Sequence, residues 1–177
     1  MRIAVSGTHF SGKSTLVASL LEWLPNYTGV DEPYFLLEQE GYEFSHPPLL
    51  EDFEEQLKRS ITAINESQNN TIFDRCPLDC LAYMLALSKN IDGKPWAEKM
   101  EATIERLDLI IFVPIEYRDR IIVPPSQNLK MRAKVDEKLA ELILDDSLEI
   151  LENVEVLEVA GSLEDRVKTI EEKLSNN

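Results

Sequence analysis

From Gly7 to Thr15 the chain reads Gly-Thr-His-Phe-Ser-Gly-Lys-Ser-Thr, two glycines five positions apart followed by a lysine and two hydroxyls. This G-x-x-x-x-G-K-[ST] spacing suits one task, the holding of a polyphosphate. Gly7 and Gly12 permit backbone angles that turn the N–H groups of Thr8, His9, Phe10, Ser11 and their successors inward, an anion nest at the positive end of a helix. The Lys13 ammonium would reach the terminal phosphates as a point charge, and the Ser14 hydroxyl would complete the shell of Mg²⁺. His9 stands at a variable position and reads as a filler facing solvent or nucleotide. Such a loop binds phosphate without naming its destination.

Two further dipeptides bear on that destination. Asp31-Glu32 precedes Pro33, and Asp74-Arg75 precedes Cys76-Pro77. Each follows a short apolar stretch, and the carboxyl ends of parallel strands line the ligand crevice of an open sheet. Both pairs should therefore face the phosphates held by the loop. A carboxylate near Mg²⁺ and Lys13 stays ionised, so Glu32 can accept a proton at neutral pH. Asp31 takes its place if the strand register differs by one. A third feature is a basic cluster in an acidic chain: Arg118, Arg120, Lys130, Arg132, Lys134 and Lys138 are six of its 18 Lys and Arg residues. It reads as a lid over residues 117–132 whose guanidinium groups close on the transferring phosphate, or else as an exposed mixed-charge face.

Strands must position these groups. Apolar runs predict them at Arg2–Ser6, Tyr27–Val30, Thr71–Asp74, Leu107–Val113 and Val154–Val159. Helical periodicity fills the gaps, over Lys13–Leu24, Leu49–Asn65, Leu78–Lys89, Trp96–Arg106, Lys130–Leu151 and Leu163–Leu174. Alternation of this kind implies an α/β fold with a parallel sheet covered on both faces, because each crossover needs a helix to return the chain. The most apolar strand, Leu107–Val113, is expected near the sheet centre.

With 177 residues, one domain over 1–177 is expected. No stretch approaches the roughly 18 apolar residues of a membrane span, and no signal-peptide pattern precedes the first strand, so a cytoplasmic protein is expected. The formal charge of −15 disfavours nucleic acid as a partner. Cys76 and Cys80 lack the second Cys or His pair of a zinc site and read as reduced thiols.

The ordered set GxxxxGKS, Glu-Pro, then Asp-Arg-x-Pro opening a helix resembles the P-loop kinases of small metabolites, especially deoxynucleoside kinases and ribosylnicotinamide-kinase-like ATPases. The ending "EVAGSLEDRVKTI" is similar to the last strand, Gly-Ser turn and closing helix of the latter group, which implies that Gly161 lies beside adenine. The resemblance implies a three-layer P-loop fold with strand order 2-3-1-4-5, with ATP and Mg²⁺ as cofactors and a small-molecule phosphate acceptor. It implies Glu32 as base, Arg75 on phosphate or on that base, Asp74 near Mg²⁺, and lid arginines among Arg118, Arg120 and Arg132. By the same resemblance Gln56 would read the edge of an acceptor base. A nucleoside or nucleotide is the acceptor so implied. A regulatory ATP- or GTP-binding module that hydrolyses slowly and acts through a protein partner fits the same loop. A homodimer is left open.

Overall fold

Parallel β strands and helices alternate along the chain as the periodicity predicts. The computed structural model describes residues 1–116, 122–124 and 128–175. Its elements are β1 (Arg2–Ser6), α1 (Lys13–Trp23), β2 (Thr28–Val30), α2 (Pro33–Gln39), α3 (Leu50–Glu66), β3 (Thr71–Asp74), α4 (Pro77–Leu87), α5 (Lys94–Ile104), β4 (Leu109–Phe112), α6 (Leu129–Ile143), β5 (Glu155–Glu158) and α7 (Leu163–Ser175). Arg118, Arg120 and half of the lid expected over 117–132 lie outside the described residues. The last positions of that lid, from Leu129, are the first turn of α6.

The five strands form one all-parallel sheet in the order β2-β3-β1-β4-β5. The loop-bearing β1 is central. β4, the most apolar strand, lies next to it, near the sheet centre as expected, and both of its faces are buried.

Strand side chains alternate between two cores, as the pleat requires. Ile3, Val5, Ile72, Leu109 and Ile111 pack with Leu16 and Leu20 of α1 and Ile170 of α7. Ala4, Phe73, Ile110 and Phe112 face the opposite layer, with Leu57 of α3, Leu81 and Met84 of α4 and Leu139 of α6. Truncating any fully buried leucine among them would cost about 2–5 kcal/mol.

Two elements depart from the sequence reading. β2 ends at Val30, and Pro33 opens a helix that the periodicity did not predict, α2, where its fixed φ and missing N–H suit the first helical turn. The helix predicted over Lys130–Leu151 stops at Ile143. Asp146 is left-handed there, and its carboxylate accepts the N–H groups of Ile150 and Leu151, a local alternative to the helical ladder.

Candidate active site

The loop between β1 and α1 is shaped by its glycines and by what lies beneath it. Gly12 is left-handed at φ 93, and Phe10 joins it in that region at φ 56. Gly7 has no room for a side chain, since a Cβ there would collide with Val113 O and approach Ser11 Oγ to 2.9 Å. Lys13 is buried, and its Nζ donates to Thr8 O across the loop at 2.9 Å. Burial first, and then the charge of Arg75, lower its pKa to about 8, against the opposing pull of Asp74, Asp79 and Glu32.

The two acidic pairs converge on this loop. Ser14 Oγ donates to Asp74 Oδ2 at 2.6 Å, while Asp74 Oδ1 is buried with no partner. Burial pushes the Asp74 pKa up, with Lys13, Ser14 and Arg75 pulling the other way. A hydroxyl beside a carboxylate with an orphaned oxygen fits Mg²⁺, an ion that takes one or two carboxylates plus substrate phosphates rather than a full protein cage. Among the described residues no group of three or more His, Cys, Asp or Glu side chains forms a metal cluster.

Asp31, the alternative base, is exposed, whereas Glu32 turns into the crevice. Arg75 Nε donates to Glu32 Oε2 at 2.7 Å, and Arg75 Nη1 donates to Gly7 O at 3.0 Å. Burial raises the Glu32 pKa, but the charge and hydrogen bond of Arg75, with Lys13 behind them, outweigh it and hold the carboxyl below its usual range.

Two cavities meet at these residues. One, of about 450 Å³, is lined by His9, Phe10 and the loop residues from Gly12 to Thr15 together with Phe35. The other, of about 370 Å³, is walled by Tyr34, Phe44, Phe53, Gln56, Cys80 and Tyr83. Both include His9, Glu32 and Arg75 in their walls. In the second cavity Tyr34 stacks on Phe44 at 4.2 Å and Phe53 on Tyr83 at 5.0 Å, so its walls are aromatic faces. Gln56, expected at a base edge, does line this cavity, and its Nε2 donates to Asp52 O.

Of the two surroundings expected for His9, solvent or nucleotide, the ring takes a place in the wall of the loop cavity, held there by Tyr83. Its backbone N–H donates to Tyr83 Oη at 3.2 Å, and its Nδ1 lies 2.8 Å from the same oxygen. Burial, followed by the charges of Arg75, Arg132 and Lys13, lowers its pKa to about 4, so the ring is neutral at physiological pH.

Arg132 differs from its expected place over the phosphate. It is buried on α6, donating through Nε to His9 O and through Nη2 to Phe10 O, both at 3.0 Å. Thr8, expected among the phosphate-binding residues, is fully buried, and its hydroxyl donates to Arg132 O. A second arginine that the sequence reading did not single out, Arg166 on α7, donates from Nη1 to Ser11 O at 2.8 Å. Two buried guanidinium groups thus hold three consecutive loop carbonyls. The visible signal was an arginine on the apolar stripe of the last helix, four residues before Ile170. Gly161 is left-handed at φ 95, and its N–H donates to Glu116 Oε1, the same oxygen that accepts from Arg166 Nη2. Its turn therefore reaches the loop at Ser11.

A parallel sheet of this order, with the phosphate loop after its central strand, is the P-loop kinase fold. The chain belongs to the AAA-domain family, whose model matches residues 2–166. No curated protein matches it in sequence. Among solved structures it is similar to deoxyadenosine kinase from M. mycoides with bound dATP, at TM-score 0.66 and 18% identity over 99% of this chain and 100% of that one. The same enzyme with products dCMP and a flexible dCDP gives TM-score 0.69 and 17% identity over the whole of both chains. Thymidylate kinase from Candida albicans gives TM-score 0.66 and 16% identity, covering 99% of this chain and 91% of that one. Among the described residues no helix is long and apolar enough to cross a membrane.

Proposed function

We propose that the protein transfers the γ-phosphate of ATP to a hydroxyl or phosphate of a small metabolite, a nucleoside or nucleotide. One observation carries this reading: the phosphate-loop cavity and the aromatic-walled cavity share Glu32, Arg75 and His9. Phosphoryl transfer asks for alignment and charge neutralisation more than for covalent chemistry, and two cavities joined at a carboxylate and a guanidinium supply that arrangement. The deoxyadenosine and thymidylate kinases of similar fold support the acceptor class.

Each residue then has a task. The loop amides and Lys13 hold the triphosphate and draw charge from its outer phosphate. Stacked Tyr34–Phe44 and Phe53–Tyr83 offer faces to a planar ring, and Gln56 offers an amide to its edge. Glu32, ionised and held by Arg75, takes the proton of the attacking hydroxyl. Ser14 and Asp74 would hold Mg²⁺, which when bound neutralises phosphate charge. Gly161 contributes a side-chain-free turn near Ser11 for the adenine, and Arg118 and Arg120 are proposed to approach the transferring phosphate.

The test is phosphate transfer from Mg²⁺-ATP to a panel of nucleosides and their monophosphates, read by ³¹P spectroscopy. Strong stimulation by one acceptor is expected. Slow phosphate release that no acceptor changes would replace this reading with a nucleotide-binding module acting through a partner.

A further inference from the structure

Asp79 has no role in the scheme above, yet none of its surface reaches solvent. Its Oδ2 accepts the Cys76 N–H at 3.0 Å, which caps the first turn of α4. A neutral side chain would serve that purpose as well. The other carboxylate oxygen leaves the helix. Oδ1 accepts the N–H of Gly7 at 3.0 Å and lies 3.4 Å from Arg75 Nη1. Arg75 Nη1 in turn donates to the carbonyl of Gly7, so both ends of that glycine are held in one closed ring.

The backbone shows that the ring is imposed. Arg75 sits at φ 81, a left-handed conformation that a non-glycine residue adopts only at a cost. Such an outlier persists where its surroundings over-determine it. Here the side chain is fixed by Glu32 on Nε and by Gly7 and Asp79 on Nη1. A fully buried carboxylate is costly unless paired, and the guanidinium is its paired charge.

We propose that Asp79 is a positioning residue for phosphate transfer: by closing this ring it aims Arg75 at Glu32 and ties the start of the phosphate loop to the acceptor side of the site. Only its kinetic test rests on the phosphotransfer reading. Asp79 touches neither cavity, so it acts through Arg75 and Gly7.

The full chain is compared with Asp79→Asn and with Asp79→Ser, the latter keeping one oxygen for the Cys76 N–H and hence the helix cap. In ¹⁵N-labelled protein the Arg75 Nε–H should exchange with water about tenfold faster or more in both variants. Exchange at the wild-type rate overturns the proposal. In transfer from Mg²⁺-ATP to deoxyadenosine, kcat should fall about tenfold or more, with KM for ATP changed less than about threefold. On an Arg75→Ala background Asp79→Ser should lower kcat no further, since its effect passes through the missing guanidinium. Losses that multiply, or a kcat that does not fall, mark a purely structural carboxylate and overturn the proposal. Wild-type protein that phosphorylates neither a nucleoside nor a nucleoside monophosphate sinks the transfer reading instead, and the exchange rates then decide on Asp79 by themselves.

Discussion

Arg75 Nε and Glu32 Oε2 stand 2.7 Å apart at the wall common to the two cavities, joining the ends of β2 and β3. The pairing fixes the carboxylate and keeps it ionised, the state that a proton acceptor needs. Glu32→Gln keeps an oxygen for Arg75 and removes only the proton affinity. Transfer should fall by about 10²–10⁴ in kcat. The affinity for a non-hydrolysable ATP analogue, measured by calorimetry, should stay within about threefold. Equal loss of both would make Glu32 a metal or folding residue.

Lys13 carries a pH signature of its own. Buried against Arg75, its ammonium titrates at about 8 rather than at the usual 10.5, so part of the free protein lacks that proton at pH 8. A triphosphate beside Nζ restores the charged form. Binding at pH 8 should therefore take up about half a proton, more at pH 9 and almost none at pH 6.5. Calorimetry in buffers of different ionisation enthalpy measures this. Release of protons at pH 8, or no exchange in wild type and Lys13→Met alike, would remove Lys13 from the phosphates.

Gly7 is required by space. A methyl group at this position would run into Val113 O, a backbone atom at the end of the adjoining chain segment, and would also crowd Ser11 Oγ. Backbone does not yield as a flexible side chain does. Gly7→Ala should lower stability by about 2–4 kcal/mol, read as an earlier urea midpoint, and weaken nucleotide binding with it. Gly41 offers a contrast, because its position is left-handed but open. Gly41→Ala should cost about 1 kcal/mol and leave binding unchanged.

The fold was legible because its signals are local and redundant. β1, β3 and β4 are short apolar runs next to strong helical patterns, and each was found within about two residues. Asp74, Glu32 and Arg75 were legible for a related reason, since strand ends in a parallel sheet all open on one crevice. The groups that escaped act at long range. Nothing at positions 132 and 166 says that two helices distant in sequence send guanidinium groups to adjacent loop carbonyls. Asp79 drew no reading from the sequence, and only the register of β1 beside β3 brings Gly7 to it. The premature end of α6 turned on whether Asp146 bonds to its neighbours or stays solvated, which composition does not decide.

Tyr83 separates the loop from the acceptor cavity, and its two halves make distinct predictions. The ring stacks on Phe53 at 5.0 Å and 6°, facing the acceptor side. The hydroxyl accepts the His9 N–H and bonds to the neutral imidazole, facing the phosphate loop. Tyr83→Phe keeps the ring, leaves the His9 N–H unpaired and takes from Nδ1 the nearer of its two hydroxyl partners, at a cost of about 1–3 kcal/mol. If part of this falls on the loaded loop, KM for ATP should rise about three- to tenfold while KM for the acceptor stays within about twofold. Tyr83→Ala also opens the wall and should raise both. Because His9 titrates at about 4, chiefly through burial that Tyr83→Phe leaves in place, this variant should add no limb to the pH–rate profile between pH 6 and 8. A Tyr83→Phe protein with altered acceptor KM and normal ATP KM would turn the hydroxyl toward the acceptor and undo the division of labour drawn here.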